Sequence, residues 1–133
     1  MVFMDQFEEI ANTTILPESS RLWVFAQVLV SVDVACIDKY WQKDKRYIEP
    51  HTWNPEKFKR AKHSIALAVE GVRALDAGVF VVHDNAVQIL DGKRRFSYLR
   101  DKGVECIVMA TTWASAARAR KLGFMNFYIL DLN

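Results

Sequence analysis

The spacing of apolar residues in the second half of the chain predicts an alternation of helices and strands. Asn-Pro-Glu at positions 54–56 combines an N-cap residue, a proline at the first helical position and an acid in the first turn. Apolar residues then keep a helical period as far as Gly78, with Gly71 inside the predicted helix. The β-branched runs 79–83 and 104–110 are typical of buried strands.

Three further elements complete this half, and Asp91-Gly92 suits a turn before the first of them. They are a helix at 94–102, a helix at 113–122 that ends at Gly123, and a strand at 127–132. Since the connections between successive strands are long enough for right-handed crossovers, we expect these strands to run parallel. The predicted fold is a single α/β domain over residues 1–133, with a mixed, largely parallel sheet and helices packed on it.

The first half of the chain is ambiguous between helix and strand. Residues 28–35 alternate as a strand does, yet the polar positions from Gln27 to Gln42 also share one helical stripe. The β-branched content favours the strand. A second strand at 40–48 would then complete an N-terminal β-hairpin that leads into the α/β half.

Composition excludes several classes of protein and bounds the partners. The chain has 133 residues, 51% hydrophobic and 26% charged, which is too apolar for disorder and ordinary for a globular domain. Eighteen basic and 16 acidic residues leave a net charge of only +2, so nucleic-acid binding is not favoured. The acidic N-terminus lacks a signal-peptide pattern, and the apolar run 22–37 is too short and polar to span a bilayer. We therefore expect a cytoplasmic protein without a membrane partner, in which Cys36 and Cys106 are free, buried thiols.

Candidate binding residues follow the two predicted parallel strands. In an open parallel sheet, ligands bind beyond the carboxyl ends of the strands, because the helices that follow point free N–H groups there. This rule selects six residues: His83, Asp84, Asn85, Thr111, Thr112 and Trp113. Asp131 would join them if the last strand also ran parallel. Asp84 or Asn85 can instead cap the segment that follows, and Thr111 or Thr112 can cap the helix that begins at Trp113, with no ligand involved.

No string typical of a hydrolase, redox, zinc or nucleotide-hydrolysing site occurs, and His51 and His63 lack partners at metal-ligand spacing. We therefore name no catalytic residue, metal or cofactor. The run 39–47 interleaves aromatic and basic residues, a composition that can stack bases, but acids dilute it. The cations at 93–95 together with Arg100, and those at 118–121, are typical of solvated helix faces. Trp41 and Trp53 predict a homodimer interface through the aromatic first half.

The chain shows two family resemblances, one carried by a C-terminal stretch and one by the order of elements over most of the chain. Residues 107–112, followed by Ala-Ala-Arg-Ala-Arg-Lys-Leu-Gly-Phe at 116–124, resemble the C-terminal part of GNAT-type N-acetyltransferases. That family cradles the acetyl-CoA pyrophosphate in a glycine-rich loop, for which this sequence offers only Gly92 between 83 and 103. The order of elements resembles STAS and SpoIIAA-like domains, small cytoplasmic α/β modules of regulation and of protein or ligand binding. Their phospho-regulated members place a serine where this sequence has none, at 83–86.

The sequence therefore predicts a small cytoplasmic regulatory module that binds a ligand or a protein and has no catalysis. The alternative is a divergent GNAT-like, acyl-CoA-dependent N-acyltransferase. The segment 86–95 discriminates between them: backbone amides that form an anion-binding turn favour the transferase, and side chains that fill the same space favour the binding module.

Overall fold

A computed structural model of the chain describes residues 6–12, 25–52 and 54–131. These residues form five helices and five strands. The helices are α1 (Gln6–Ala11), α2 (Val34–Trp41), α3 (Pro55–Val69), α4 (Lys93–Asp101) and α5 (Trp113–Leu122). The strands are β1 (Val28–Asp33), β2 (Gly78–His83), β3 (Ala86–Asp91), β4 (Cys106–Thr111) and β5 (Met125–Asp131).

The strands form one mixed sheet in the order β3-β2-β4-β1-β5. Strand β1 pairs antiparallel with both β4 and β5, β2 pairs antiparallel with β3, and β2 pairs parallel with β4. The α/β class is confirmed, but the prediction of a largely parallel sheet is wrong. A two-residue turn joins β2 to β3 and allows only antiparallel pairing, while β1 enters between β4 and β5 in the opposite direction.

Strand β3 is an element that the sequence patterns did not predict. Val87 and Ile89 are buried and alternate with half-buried residues, as on an edge strand. The turn before it places Asp84 at φ 53°, in the left-handed region that Asp tolerates better than most residues. Because the turn contains no glycine, the usual hairpin signal is absent from the sequence.

The N-terminal hairpin predicted from the sequence is not formed by the residues that the structure describes. Strand β1 is confirmed, but a helix follows it, and 42–52 connect α2 to the next element without a strand. Asp33 both ends β1 and caps α2, since its carboxylate accepts a hydrogen bond from the Cys36 N–H at 2.9 Å. Of the polar stripe, Asp38 lies in α2 and Gln42 is its C-cap, whereas Gln27 precedes β1 and Ser31 lies within it.

Helix α3 begins where the Asn54 cap predicts but ends at Val69, well before Gly78. Gly71 has φ 74°, and its N–H and that of Val72 donate to Ala68 and Leu67 carbonyls at 3.1 and 2.9 Å. This pair of bonds is the Schellman arrangement, in which a left-handed glycine closes a helix. Gly71 is thus the stop signal and not a weak interior position.

The main core lies on one face of the sheet, where the buried residues of all five described helices join one apolar cluster. Trp41 is fully buried there, with its ring centroid 4.9 Å from Tyr47 and 5.5 Å from Phe96. The prediction that Trp41 lies at a subunit interface is therefore wrong, because the ring is buried in the core of the chain and has no surface left for a partner subunit. Trp53, the other tryptophan of that prediction, lies outside the described residues.

Two further sequence expectations concern thiols and membranes. Cys36 and Cys106 are free and half-buried, and burial raises the pKa of both thiols. Within the described ranges, every helix falls short of the length and hydropathy needed to cross a bilayer.

Candidate functional site

The six predicted edge residues fall into two separate groups. His83, Asp84 and Asn85 are exposed at the turn between β2 and β3, where the Asn85 carbonyl accepts a hydrogen bond from Lys43 Nζ at 3.3 Å. The other three residues are Thr111, Thr112 and Trp113, at the junction of β4 and α5.

The second group is engaged within the protein. The buried Thr111 hydroxyl donates to the Phe80 carbonyl at 2.6 Å, and the Thr112 hydroxyl accepts from the Ser115 N–H at 3.1 Å as the cap of α5. The Trp113 N–H donates to the Gln27 side chain at 3.0 Å. These bonds fit the capping alternative that the sequence left open.

Strand register keeps the two groups apart. Val79 of β2 is level with Ala110 of β4, so Thr111 is level with Phe80. His83 therefore lies three residues further along its strand, roughly 10 Å away in the strand direction. The structure does not bring the six residues into one pocket, and ligand binding at either group stays a prediction. The backbone of Asp131 does reach the Thr111 edge, because both residues pair with Val28.

A small cleft of about 360 Å³ adjoins the first group and is lined by Asp84, Asn85 and the last turns of α5. Arg118 lines it and donates to the Val82 carbonyl at 3.0 Å. This arginine is therefore tied to the sheet and is not simply part of a solvated helix face.

A larger pocket, of about 870 Å³, lies between the starts of α3 and α4 and the 42–52 connection. We call it the basic pocket because six cations line it: Arg46, Lys57, Arg60, Lys93, Arg94 and Arg95. Two acids, Glu49 and Asp91, are also in its lining. Since the whole chain carries only +2, the rest of the molecule is net acidic and the positive charge is concentrated at this pocket.

Most of these cations have no anionic partner in the part of the chain that the structure describes. Arg95 alone lies within ion-pair distance of a described carboxylate, with its Nη2 3.6 Å from Asp91 Oδ2. A pocket whose six cations outnumber its two acids attracts an external anion. Sequence reasoning missed this site because its cations come from three separate segments, and no local pattern shows that these segments meet.

At the start of α4, the backbone of Gly92 lies close to the guanidinium group of Arg95. Gly92, at φ 81°, is the N-cap and offers no side-chain hydrogen bond to the first turn. A Cβ at this position would lie 2.9 Å from Arg95 Nη2 and 3.0 Å from the Gly78 Cα. Glycine is thus required here. Arg95 Nη2 is buried and finds no hydrogen-bond acceptor among the described residues.

A buried ion-pair cluster supports one wall of the basic pocket from behind. Arg100 Nη1 donates to Asp38 Oδ1 at 2.9 Å and to the Ile48 carbonyl at 2.7 Å, and Nε donates to Asp101 Oδ1 at 2.9 Å. The Arg100 and Asp101 side chains are only 8% and 2% exposed, so the prediction that Arg100 belongs to a solvated helix face is wrong. Burial lowers the pKa of Arg100, but the hydrogen bonds to Asp101 and Asp38 outweigh it and raise the pKa.

The same cluster holds the wall at two more points. The Tyr47 hydroxyl donates to Asp38 Oδ2 at 3.0 Å, and burial, followed by this bond, raises the pKa of Tyr47. Asp101 Oδ2 accepts from the backbone N–H of His51 at 3.0 Å. His51 has φ 59°, a left-handed conformation that a non-glycine residue adopts at a cost. The Arg100 cluster thus fixes the backbone of the wall that presents Arg46.

No cluster of three or more His, Cys, Asp or Glu side chains with the arrangement of a metal site occurs in the described ranges. Comparison of the chain with protein-family models, with curated proteins and with solved structures finds no match. The geometry of the basic pocket is therefore the main evidence on function, and its excess of cations is of a kind that can bind anions.

Proposed function

We propose that this protein is a non-catalytic, cytoplasmic module that binds an anionic small molecule in the basic pocket. The observation that carries the proposal is the convergence of six cations from three segments around one concavity of about 870 Å³. Four of the six are arginines, whose planar guanidinium groups bind phosphate and carboxylate groups through paired hydrogen bonds. The size is that of pockets that enclose a small molecule.

The acyltransferase alternative draws support from one feature, the position of the pocket at the start of α4. CoA carries phosphates, and GNAT-type enzymes hold a pyrophosphate at a helix start. In this chain, however, the Arg95 guanidinium packs against Gly92, so a side chain shares the space that bare backbone amides would need. This filling favours the binding module.

The proposal is tested by thermal shift and calorimetric titration of the purified chain with pyrophosphate, citrate, nucleotides, CoA and acetyl-CoA at low ionic strength. A ligand at about 100 times its Kd adds roughly 2.7 kcal/mol and raises Tm by several degrees. A solution mass near twice 15.3 kDa in the same samples would support the homodimer that the sequence predicts.

A matched pair of double variants links binding to the pocket. Lys57→Gln with Arg94→Gln removes two pocket cations, and Lys59→Gln with Arg120→Gln removes two exposed cations outside it. We expect the pocket variant to bind at least tenfold more weakly, a loss of about 1.4 kcal/mol, and the control to bind nearly as the parent does. Equal losses in both variants, or no binding of any anion by the parent, would refute the proposed site.

A further inference from the structure

The positive charge of the basic pocket exceeds what a single phosphate group offsets. Arg95 and Asp91 lie 3.6 Å apart and largely offset each other, which leaves five cations and one acid, Glu49, in the described lining. A phosphate group carries a charge of about −1.5 to −2 near pH 7. The remaining excess of positive charge is therefore matched by two or more phosphate groups and not by one.

The cations reach the concavity from three segments of the chain. Lys57 and Arg60 lie one turn apart near the start of α3. Lys93 and Arg94 lie in the first turn of α4, which packs against α3, and Arg46 comes from the connection after α2. A terminal phosphate offers three acceptor oxygens that point in different directions, whereas a carboxylate offers two in one plane. Cations that converge from three segments therefore fit phosphate groups better than carboxylates.

The volume of the pocket also exceeds that of one phosphate group. A water molecule takes up about 30 Å³ in the liquid, so a phosphate group, which is a few times larger, takes up on the order of 100 Å³. The pocket has a volume of about 870 Å³. It therefore has room for several linked phosphate groups and for the body that carries them.

The apolar residues of the lining are already packed within the protein. Phe58 and Ala61 are 3% and 5% exposed, and the half-buried Leu90 packs against an apolar cluster of the sheet. The surface left to a ligand is therefore mainly that of charged and polar side chains. Recognition should accordingly depend on the phosphate groups more than on the body that carries them.

We infer that the ligand of the basic pocket carries two or more linked phosphate groups, which span the cations of α3 and α4. The inference rests on the proposed function and names its ligand class. Organic diphosphates and short inorganic polyphosphates share this chemistry. A nucleic-acid strand fits less well, because sugars separate its phosphates, it extends past a concavity, and the chain outside the lining is net acidic.

The test is calorimetric titration of the purified chain at one ionic strength. The probes are orthophosphate, pyrophosphate, tripolyphosphate, citrate, AMP, ADP and a ten-nucleotide single strand. We expect pyrophosphate to bind about tenfold or more tightly than orthophosphate and citrate, and ADP to exceed AMP by a similar factor. Tighter binding of ADP than of pyrophosphate would identify an organic diphosphate as the source of the linked phosphates, and the reverse order an inorganic polyphosphate.

A double variant in α3 tests whether the ligand spans both helices. Lys57→Gln with Arg60→Gln removes two lining cations, whereas Lys59→Gln with Lys62→Gln removes two exposed cations of the same helix, at the same spacing, outside the lining. We expect the first variant to bind pyrophosphate about tenfold or more weakly and orthophosphate within about threefold of the parent, because the α4 cations remain. The second variant should bind both nearly as the parent does, and melting curves verify that both variants fold.

The possible failures are distinguishable. If orthophosphate or citrate binds as tightly as pyrophosphate, or if AMP equals ADP, the ligand class is wrong while the anion-binding function stands. Equal losses for pyrophosphate and orthophosphate in the first variant would overturn the span across both helices. Tightest binding of the oligonucleotide would overturn the ligand class in favour of a nucleic acid. If no anion binds at all, the proposed function itself fails.

Discussion

The sheet edge and the basic pocket are opposite ways of arranging polar side chains. At the β4–α5 junction, the hydroxyls of Thr111 and Thr112 are committed to the Phe80 carbonyl and the Ser115 N–H. In the basic pocket, most cations have no described anionic partner and face a concavity. Polar groups that satisfy one another stabilise the fold, whereas groups left unsatisfied around a cavity are available to a ligand.

The two regions also differ in how they are supported. The Thr111 hydroxyl is itself the support, since it links β4 to β2. The basic pocket is supported from behind by Arg100, which contacts no ligand in our proposal but holds the Ile48 carbonyl in the pocket wall. Function is thus expected to tolerate changes at the sheet edge and to suffer from changes behind the pocket.

The largest expected effect is that of Arg100→Met. The substitution leaves the buried carboxylates of Asp38 and Asp101 without their cation, which costs about 3–5 kcal/mol and lowers Tm by on the order of 10 °C. Urea unfolding measures the loss. The exposed pair of Arg73 and Asp76, 3.8 Å apart, provides the control, since Arg73→Met should cost less than about 1 kcal/mol. Similar losses in both variants would contradict the special role of the Arg100 cluster.

A smaller loss is expected for Thr111→Val. The variant keeps the shape of the side chain but removes the buried hydrogen bond to the Phe80 carbonyl, at a cost of about 1 kcal/mol. Thr111→Ser keeps the hydroxyl and should retain that bond. Anion affinity should be the same in parent and variants. A Thr111→Val protein that melts like the parent but binds anions more weakly would break the contrast between the two regions.

The pH dependence of the unfolding free energy should report the contribution of Tyr47, whose hydroxyl bonds to Asp38 in the pocket wall. Its pKa is raised in the folded state, so its contribution is fully present below about pH 10, the usual tyrosine pKa, and is lost as pH rises through the folded pKa. Tyr47→Phe should lower the unfolding free energy at pH 8 and flatten its decline towards pH 11. Urea titrations at pH 8, 9.5 and 11 measure this, with the exposed Tyr128→Phe as the control. If the unfolding free energy of Tyr47→Phe declines as steeply with pH as that of the parent, Tyr47 is not the cause of the decline.

The smallest effect is expected at His83. This exposed residue ends β2, and His83→Ala should change the unfolding free energy by no more than about 0.5 kcal/mol. If the basic pocket is the site, anion affinity should also be unchanged. The sequence-based hypothesis makes the opposite prediction, that the variant binds its ligand more weakly while the fold stays intact. Calorimetry on His83→Ala and Asp84→Ala therefore decides between the two regions.

Elements with local start and stop signals were predictable from the sequence. Helix α5 has the predicted bounds, Trp113–Leu122, because Thr112 caps it and Gly123, at φ 88°, ends it. Gly71 is an equally local signal for the end of α3, but the apolar period continues past it and predicts a longer helix than the one that forms. The turn at Asp84 contains no glycine, so the sequence has no hairpin signal from which β3 could be predicted.

Strand direction and the basic pocket were out of reach of local patterns for one common reason. The position of β1 between β4 and β5 depends on pairings between residues about 80–100 positions apart, as in Val28 with Thr111 and Asp131. The pocket likewise gathers Arg46, Arg60 and Arg94 from distant segments. A sequence window shows charge and periodicity, but not which windows meet in the fold.

The central position of β1 also has a consequence for the order of folding. The β2–β3 hairpin closes over a two-residue turn and can form as soon as both strands exist, on the microsecond scale of local hairpins. Strand β1, although it comes early in the chain, finds its two neighbours only after residues 106–131 have been synthesised. At ribosomal rates of about 5–20 residues per second, both edges of β1 therefore stay unpaired for several seconds. A nascent chain of this protein therefore exposes Val28, Val30 and Val32 to chaperones and to neighbouring chains until residues 106–131 have been synthesised.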